Sequence, residues 1–128
     1  MAEEYRRTRN IYTAFDNFGV TDNSLNVSAD HNTGDNTDMT LNLVVKSTNA
    51  PGDIAIKIWF RTENGDAACQ KVDESWNGFN YTAVQTAAGL LQSYTGKCPG
   101  RIAYITAQAA AASPLNYYTI TVKMDFWK

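Results

Sequence analysis

Hydrophobic residues alternate with other residues over three long stretches of the chain. The alternating sets are Met39, Leu41, Leu43 and Val45 in the first stretch, Ile54, Ile56, Ile58 and Phe60 in the second, and Tyr118, Ile120, Val122, Met124 and Phe126 in the third. A period of two places successive side chains on opposite faces of an extended chain. The pattern therefore predicts three strands, each with one face in a core.

Shorter segments at 11–15, 25–29, 67–72 and 102–107 are rich in residues that suit strands. Asn64 and Gly65 follow the second long strand and readily supply the positive φ angles of a tight hairpin turn. Several short strands separated by turn signals are typical of antiparallel all-β proteins. We predict a mainly β fold, either an antiparallel β-sandwich or a jelly-roll-like barrel.

One segment, residues 82–94, has the period of a helix. Val84, Ala87, Leu90, Leu91 and Tyr94 recur at intervals of one, three and four residues. Thr82 can cap the start, whereas Gly96 and Pro99 can end the helix. Gly89 costs about 1 kcal/mol relative to alanine in a helix interior. We predict one short amphipathic helix packed on a sheet.

The length of 128 residues suits one domain, which buries roughly two-thirds of the surface that its unfolded chain exposes. We find no internal repeat and no linker. We therefore predict a single domain over residues 1–128, with an N-terminal arm at about 1–9. Two segments, the polar stretch 21–38 and the small-residue stretch 109–114, are expected to be exposed or to lie flat against another surface.

Charge and cysteine content narrow the classes of partner. Eleven basic and thirteen acidic residues leave a net charge of −2, without the basic surface that nucleic-acid binding requires. No apolar run follows the basic residues near the N-terminus, so we expect no secretion signal and no membrane partner. Cys69 and Cys98 match no zinc or redox motif, and we expect two reduced, buried or half-buried thiols.

The sequence contains few of the residues and motifs that enzymes use in catalysis. Its single histidine, His31, lies in a polar stretch and is expected to be exposed. No nucleophile motif and no phosphate-binding loop occur, so we predict no catalytic residue and no cofactor. The oxygens of Asp30, Asp35, Asn36 and Asp38 could bind Ca²⁺, but their spacing does not match an EF-hand. We expect a solvated acidic loop and no metal.

Aromatic residues are the strongest candidates for binding. Trp76, Phe79 and Tyr81 alternate with amides, an arrangement that suits a sugar ring or a protein hot spot. Alternatively, Trp76 and Phe79 close the edge of a sheet. Trp59 and Trp127 point away from the predicted core, so they are either covered by a second layer or available to a partner.

Strands that carry large apolar side chains on both faces must be covered on both. We therefore hypothesise a non-enzymatic structural protein, made in the host cytoplasm and located in a bacteriophage virion. Such a capsid cement or decoration protein, or small coat or tail protein, would form homo-oligomers and stabilise a shell by binding neighbouring subunits. The alternative is a lectin-like β-sandwich that binds carbohydrate through Trp76, Asn77, Asn80 and Tyr81. The predicted partner-binding residues are Tyr5, Arg6, Arg7, Arg9, Asn32, Asp35, Trp76, Phe79, Tyr81 and Trp127.

Overall fold

The computed structural model describes residues 9–49, 51–62, 69–70, 79–81 and 90–128. These residues contain strands and no helix. The strands are β1 (Arg9–Val20), β2 (Asn26–Val27), β3 (His31–Asn32), β4 (Asp38–Thr48), β5 (Ile54–Arg61), β6 (Cys69–Gln70), β7 (Phe79–Tyr81), β8 (Leu90–Lys97), β9 (Ile102–Ala109) and β10 (Tyr117–Trp127). The prediction of a mainly β, antiparallel fold is confirmed.

The first sheet, sheet A, has the strand order β1-β10-β4-β8, and every neighbouring pair is antiparallel. The pairing of β10 with β4 runs without interruption from Tyr117 opposite Thr48 to Trp127 opposite Asp38. By contrast, the pairing of β1 with β10 shifts register twice between Thr13 and Phe18. Sheet A therefore has a regular centre and one irregular edge.

The second sheet, sheet B, is centred on β5 and β9, which pair from Ile54 opposite Ala109 to Arg61 opposite Ile102. The short strands β2 and β3 both pair with β9, and β6 and β7 both pair with β5. The polar stretch 21–38 thus contains two strands that border sheet B. It lies against another surface, which is one of the two expected outcomes.

The inward faces of the two sheets meet in one core in a sandwich-like arrangement. The three alternating sets identified from the sequence are all buried in this core. On β9, the inward residues Ala103, Ala107 and Ala109 lie opposite the larger Phe60, Ile56 and Ile54 of β5. Small residues opposite large ones allow the layers to interdigitate, which explains why alanines belong to the core.

The predicted helix over residues 82–94 is wrong at its C-terminal end. Residues from Leu90 onward form β8, which pairs with β4 from Leu90 opposite Val45 to Lys97 opposite Asp38. The long edge of β4 offers a backbone partner to each of these residues, and this pairing overrides the local helical period. Leu91, placed on the apolar side of the predicted helix, is 71% exposed. Residues 82–89 lie outside the described residues.

Two further expectations are partly visible. Trp59 pairs with Gln70 and Phe60 with Cys69, so the midpoint of this antiparallel pairing falls between residues 64 and 65. This register agrees with the predicted Asn64-Gly65 hairpin, whose turn lies outside the described residues. Arg9, assigned to the predicted arm, is instead the first residue of β1, where it pairs with Trp127. Residues 1–8 lie outside the described residues, and the single-domain organisation stays a prediction.

The core position Ile58 gives a test of this packing. Ile58 is fully buried between the sheets, so we expect Ile58→Ala to lower the free energy of unfolding by about 2–5 kcal/mol. Chemical denaturation followed by circular dichroism measures this loss. Ser93→Ala, at an exposed position of β8, is the control and is expected to change stability by less than about 0.5 kcal/mol. Equal effects of the two changes would contradict the assigned core.

Candidate functional site

The outer face of sheet A presents a tryptophan at one end. Trp127, the last residue of β10, is half-buried, and its indole N–H donates to Thr40 Oγ1 at 3.2 Å. Arg9 on β1 and Asp38 on β4 occupy the positions on either side of Trp127. Two of the predicted partner-binding residues, Arg9 and Trp127, are therefore brought together on one face.

Ion pairs flank this tryptophan on both sides. The Arg9 guanidinium binds the Asp125 carboxylate, and Lys97 Nζ lies 2.9 Å from Asp38 Oδ1. Arg9 and Lys97 are more than half exposed, so solvent screens each pair and it contributes little to stability. Their main effect is to balance charge around Trp127.

The rest of the outer face of sheet A combines apolar and hydroxyl side chains. Ile11 on β1 is 62% exposed, and Leu91 on β8 lies beside the half-buried Val44 of β4. Threonines alternate along the strands of this face at positions 13, 40, 48, 95, 119 and 121. The face thus contains exposed apolar groups whose burial in a contact would be favourable.

The outer face of sheet B carries a second ordered cluster. The indole N–H of Trp59 donates to Thr106 Oγ1 at 2.8 Å, and the indole ring lies parallel to that of Tyr104 with centroids 6.3 Å apart. Arg61 Cζ lies 4.6 Å from the centre of the Tyr104 ring, and Arg61 Nη1 lies 2.7 Å from Asp30 Oδ2. Trp59 is half-buried on the outer face rather than part of the core.

The carboxylates of the polar stretch 21–38 form ion pairs with basic side chains from elsewhere in the chain. Besides the Asp30–Arg61 and Asp38–Lys97 pairs, Asp35 Oδ1 lies 3.9 Å from Arg101 Nη2. Across the described ranges, no three histidine, cysteine or acidic side chains are grouped so that they could hold a metal ion. These carboxylates face cations on β5, on β8 and at the residue that precedes β9.

Asn32, another predicted partner-binding residue, joins β1 to β3. Its backbone oxygen accepts hydrogen bonds from Asn10 Nδ2 at 3.0 Å and from the Tyr12 hydroxyl at 2.7 Å. Its side-chain oxygen accepts one from the Gly34 backbone N–H at 2.7 Å. These contacts connect an edge of sheet A to an edge of sheet B.

The expectation that His31 is exposed is wrong. His31 lies in β3, is half-buried and stacks on the Tyr12 ring with centroids 4.6 Å apart. Its Nε2 atom is buried and has no hydrogen-bond partner within the described part of the chain. Burial lowers the pKa of His31, and the neighbouring Asp30 opposes this effect. The pairing of β3 with β9, which the sequence did not reveal, places this residue.

Cys98 has a free, half-buried thiol, in agreement with the expectation for it. Its Sγ donates to the Gly100 carbonyl at 3.4 Å. Burial raises the pKa of the Cys98 thiol, which therefore stays protonated near neutral pH and is a poor nucleophile. Cys69 lies in β6, and its side chain is outside the described residues.

The remaining predicted site residues divide into three groups. Tyr5, Arg6, Arg7 and Trp76 lie outside the described residues. Phe79 and Tyr81 belong to β7, opposite Ile56 and Ile54, but their side chains are not described. Asp35 is exposed in the turn after β3. The glycan-binding alternative built on the 76–81 segment is thus described only at its β7 backbone.

Sequence reasoning missed the partners of the outward tryptophans. Thr40 and Thr106 each accept the hydrogen bond of an indole, and Tyr104 lies beside Trp59. Each contact joins strands that are far apart in sequence. Only the strand order, which alternation alone does not reveal, would have identified them.

No family model matches the chain, and no curated protein matches it. Among solved structures, the chain is similar to the K3 cleaved adhesin domain of Lys-gingipain from Porphyromonas gingivalis. The two share 10% identity over 91% of this chain and 72% of that chain, with a TM-score of 0.41. A likeness of this extent carries no argument about function.

Among the described residues, we find no helix with the length and hydrophobicity that a membrane span requires.

The His31 environment predicts a pH dependence of stability. Because the folded state lowers the pKa of His31 below its ordinary value of 6.5, the unfolded chain takes up the proton more readily. The contribution of the neutral side chain is therefore present above pH 6.5 and is lost as the pH falls below it. We expect the difference in Tm between wild type and His31→Gln to shrink from pH 7.5 to 5.5. A constant or growing difference would contradict the assignment.

Proposed function

We propose that this protein is a non-enzymatic structural protein of a bacteriophage virion, where it stabilises the shell by binding neighbouring subunits. The observation that carries the proposal is the outer face of sheet A. There, Trp127 is held by Thr40, and the apolar side chains of Ile11 and Leu91 are exposed. A protein whose function is to dock needs such a face.

Trp127 is suited to anchor a contact. Tryptophan is enriched among the residues that dominate interface energies, because it buries a large apolar area and retains one hydrogen-bond donor. The bond to Thr40 restrains the ring before binding, which reduces the entropy lost when a partner is engaged. The ion pairs of Arg9 and Lys97 balance the charges that a partner would cover.

The size of this face is close to one side of a standard protein interface. The four strands are 8 to 12 residues long and lie about 4.8 Å apart, which gives a face of roughly 700 Å². A standard interface buries about 800 Å² per partner. Repeated copies on a symmetric shell would gain further strength from multivalency.

The state of two potentially reactive groups supports a non-enzymatic role. Burial favours the neutral form of His31 and the protonated form of Cys98. Groups that act in acid–base or nucleophilic catalysis are instead usually tuned to change charge near the working pH, or placed beside an activating base. The side chains of His31 and Cys98 therefore contribute to packing.

Self-association tests the docking face. We expect the purified chain to self-associate as its concentration rises to about 100 μM, because neighbouring copies meet through sheet A. Trp127→Ala should weaken this association about tenfold or more. Sedimentation velocity measures both effects. Trp59→Ala, on the opposite sheet, is the matched control and should associate like wild type. A monomeric wild type, or equal losses in the two variants, would contradict the proposed face.

The virion setting has its own test. Antibodies raised against the purified chain are expected to label the shells of intact particles of the phage that encodes it. Quantitative mass spectrometry of gradient-purified particles should give a fixed number of copies per major shell protein, since docking sites repeat with the symmetry of the shell. Absence of the chain from purified particles would overturn the virion assignment, whatever its association behaviour.

A further inference from the structure

A groove crosses the outer face of sheet B, opposite the face proposed to dock. Its narrower part, of about 160 Å³, is lined by Leu25, Ala55, Lys57, Trp59, Thr106 and Gln108. It shares Ala55 and Gln108 with a wider part of about 550 Å³ that extends to Asn23 and Asp53. We call this continuous surface the Trp59 groove.

The groove exists because a small residue interrupts a row of larger ones. Along the outer side of β5, Ala55 lies between Asp53 and Lys57, and Trp59 follows. Ala55 pairs with Gln108 of β9, and Lys57 pairs with Thr106. The methyl group of Ala55 leaves a hollow whose two ends are formed by Trp59 and Asp53.

The polar walls of the groove are held in place. Thr106 fixes the indole of Trp59, and Gln108 Nε2 donates to the backbone oxygen of Asn23 at 3.2 Å. The side-chain oxygen of Asn23 in turn accepts a hydrogen bond from the Ala112 backbone N–H at 2.8 Å. A site whose groups are already ordered loses less entropy when it binds a ligand.

The described residues of the lining offer two kinds of contact. In the narrower part, Leu25, Ala55 and Trp59 are largely apolar, whereas Lys57, Thr106 and Gln108 carry groups that can form hydrogen bonds. Leu25 is 55% exposed, so the core does not account for its position. A pyranose ring has a matching character, since its C–H face packs on an aromatic ring and its hydroxyls bond to amide and charged groups.

Charge selects against other small ligands. Among the described residues, Lys57 and Asp53 are the charged residues that line the groove, one of each sign. A phosphate-bearing ligand would be attracted by the Lys57 ammonium and repelled by the Asp53 carboxylate. A metal ion would be attracted by Asp53 and repelled by Lys57. A neutral ligand rich in hydroxyl groups fits this balance.

We propose that the Trp59 groove binds a neutral saccharide, with one sugar ring packed against Trp59 and its hydroxyls bonded by Lys57 and Gln108. The wider part towards Asp53 holds the adjoining sugar unit. Ala55 pairs on its other side with Asn80 of β7, so the groove borders this strand. The groove lies on the sheet opposite the docking face of sheet A. A virion protein with both sites would hold the shell with one face and contact a glycan with the other.

Titration of the ¹⁵N-labelled full chain with single neutral sugars tests the proposal. The probes are glucose, galactose, mannose and N-acetylglucosamine, each at up to about 10 mM, because Kd values on the order of 1 mM are expected for a shallow groove. At least one sugar should shift the backbone signals of Lys57 and Gln108 and the indole N–H signal of Trp59. Failure of all four sugars to shift these signals, or shifts confined to other surfaces, would overturn the proposal.

Matched variants separate a loss of binding from a loss of folding. Trp59→Ala should weaken the response at least tenfold, and Lys57→Ala should weaken it about threefold to tenfold. The control Lys46→Ala changes the same residue type as Lys57→Ala on the outer face of sheet A and should bind like wild type. Equal affinity of Lys57→Ala and Lys46→Ala would overturn the assigned contacts, and Lys57→Ala tests them even if Trp59→Ala unfolds.

A neutral extended heptapeptide serves as the comparison probe. A response to the peptide without a response to any sugar would overturn the saccharide assignment and make the groove a protein-docking site. The outcome is independent of the self-association experiment, because sugar binding depends on sheet B and self-association on sheet A.

Discussion

The fold depends on the burial of alternate residues from β4, β5 and β10 between two sheets. These strands supply most of the fully buried isoleucine, leucine and aromatic side chains of the core, such as Ile56, Leu43 and Phe126. Because the period is two, a shift of one residue in any of these strands would exchange the core and solvent faces. The uninterrupted pairing of β10 with β4 prevents such a shift in sheet A.

The same constraint determines which residues are available for function. Every residue that is not inward on a strand faces outward, so Trp59 and Trp127 stand on the outer faces of opposite sheets. Each indole donates to a threonine on a neighbouring strand, Thr106 or Thr40. The tryptophans are therefore ordered without being in the core, and the two sheets offer chemically different faces. Sheet A has a broad face with hydroxyl and apolar groups, and sheet B has a groove.

Electrostatic and backbone contacts attach the polar stretch 21–38 to this framework. Its carboxylates pair with Arg61, Lys97 and Arg101, which lie outside this stretch in the sequence. Backbone hydrogen bonds reinforce the attachment: Ser28 bonds to Ile105, and Thr33 bonds to Arg101. These contacts position Leu25 and Asn23 at the border of the groove. The polar stretch 21–38 has the composition of a loop, but part of it forms a wall of the Trp59 groove.

The local sequence pattern predicted the features that depend on a single strand, such as which face is buried. It failed for the features that depend on how strands pair. The alternating sets from Met39 to Phe126 lie in the core as expected, because each strand buries one face regardless of its neighbours. The helical period of residues 82–94 predicted a helix wrongly, because Leu90 and the residues after it pair with β4 as an edge strand. His31 was misplaced because its environment depends on Tyr12 and β9. Arg9 and Trp127 were identified separately, and only the pairing of β1 with β10 shows that they are neighbours.

We propose that the outer face of sheet A holds the protein to a phage shell. A cryo-electron microscopy reconstruction of the intact particle, at a resolution that distinguishes the two sheets, tests this docking. Trp127 and Ile11 are expected to lie against a neighbouring subunit, and Trp59 is expected to point away from that contact. Density in which the outer face of sheet A is open to solvent, with the chain attached through another surface, would contradict it.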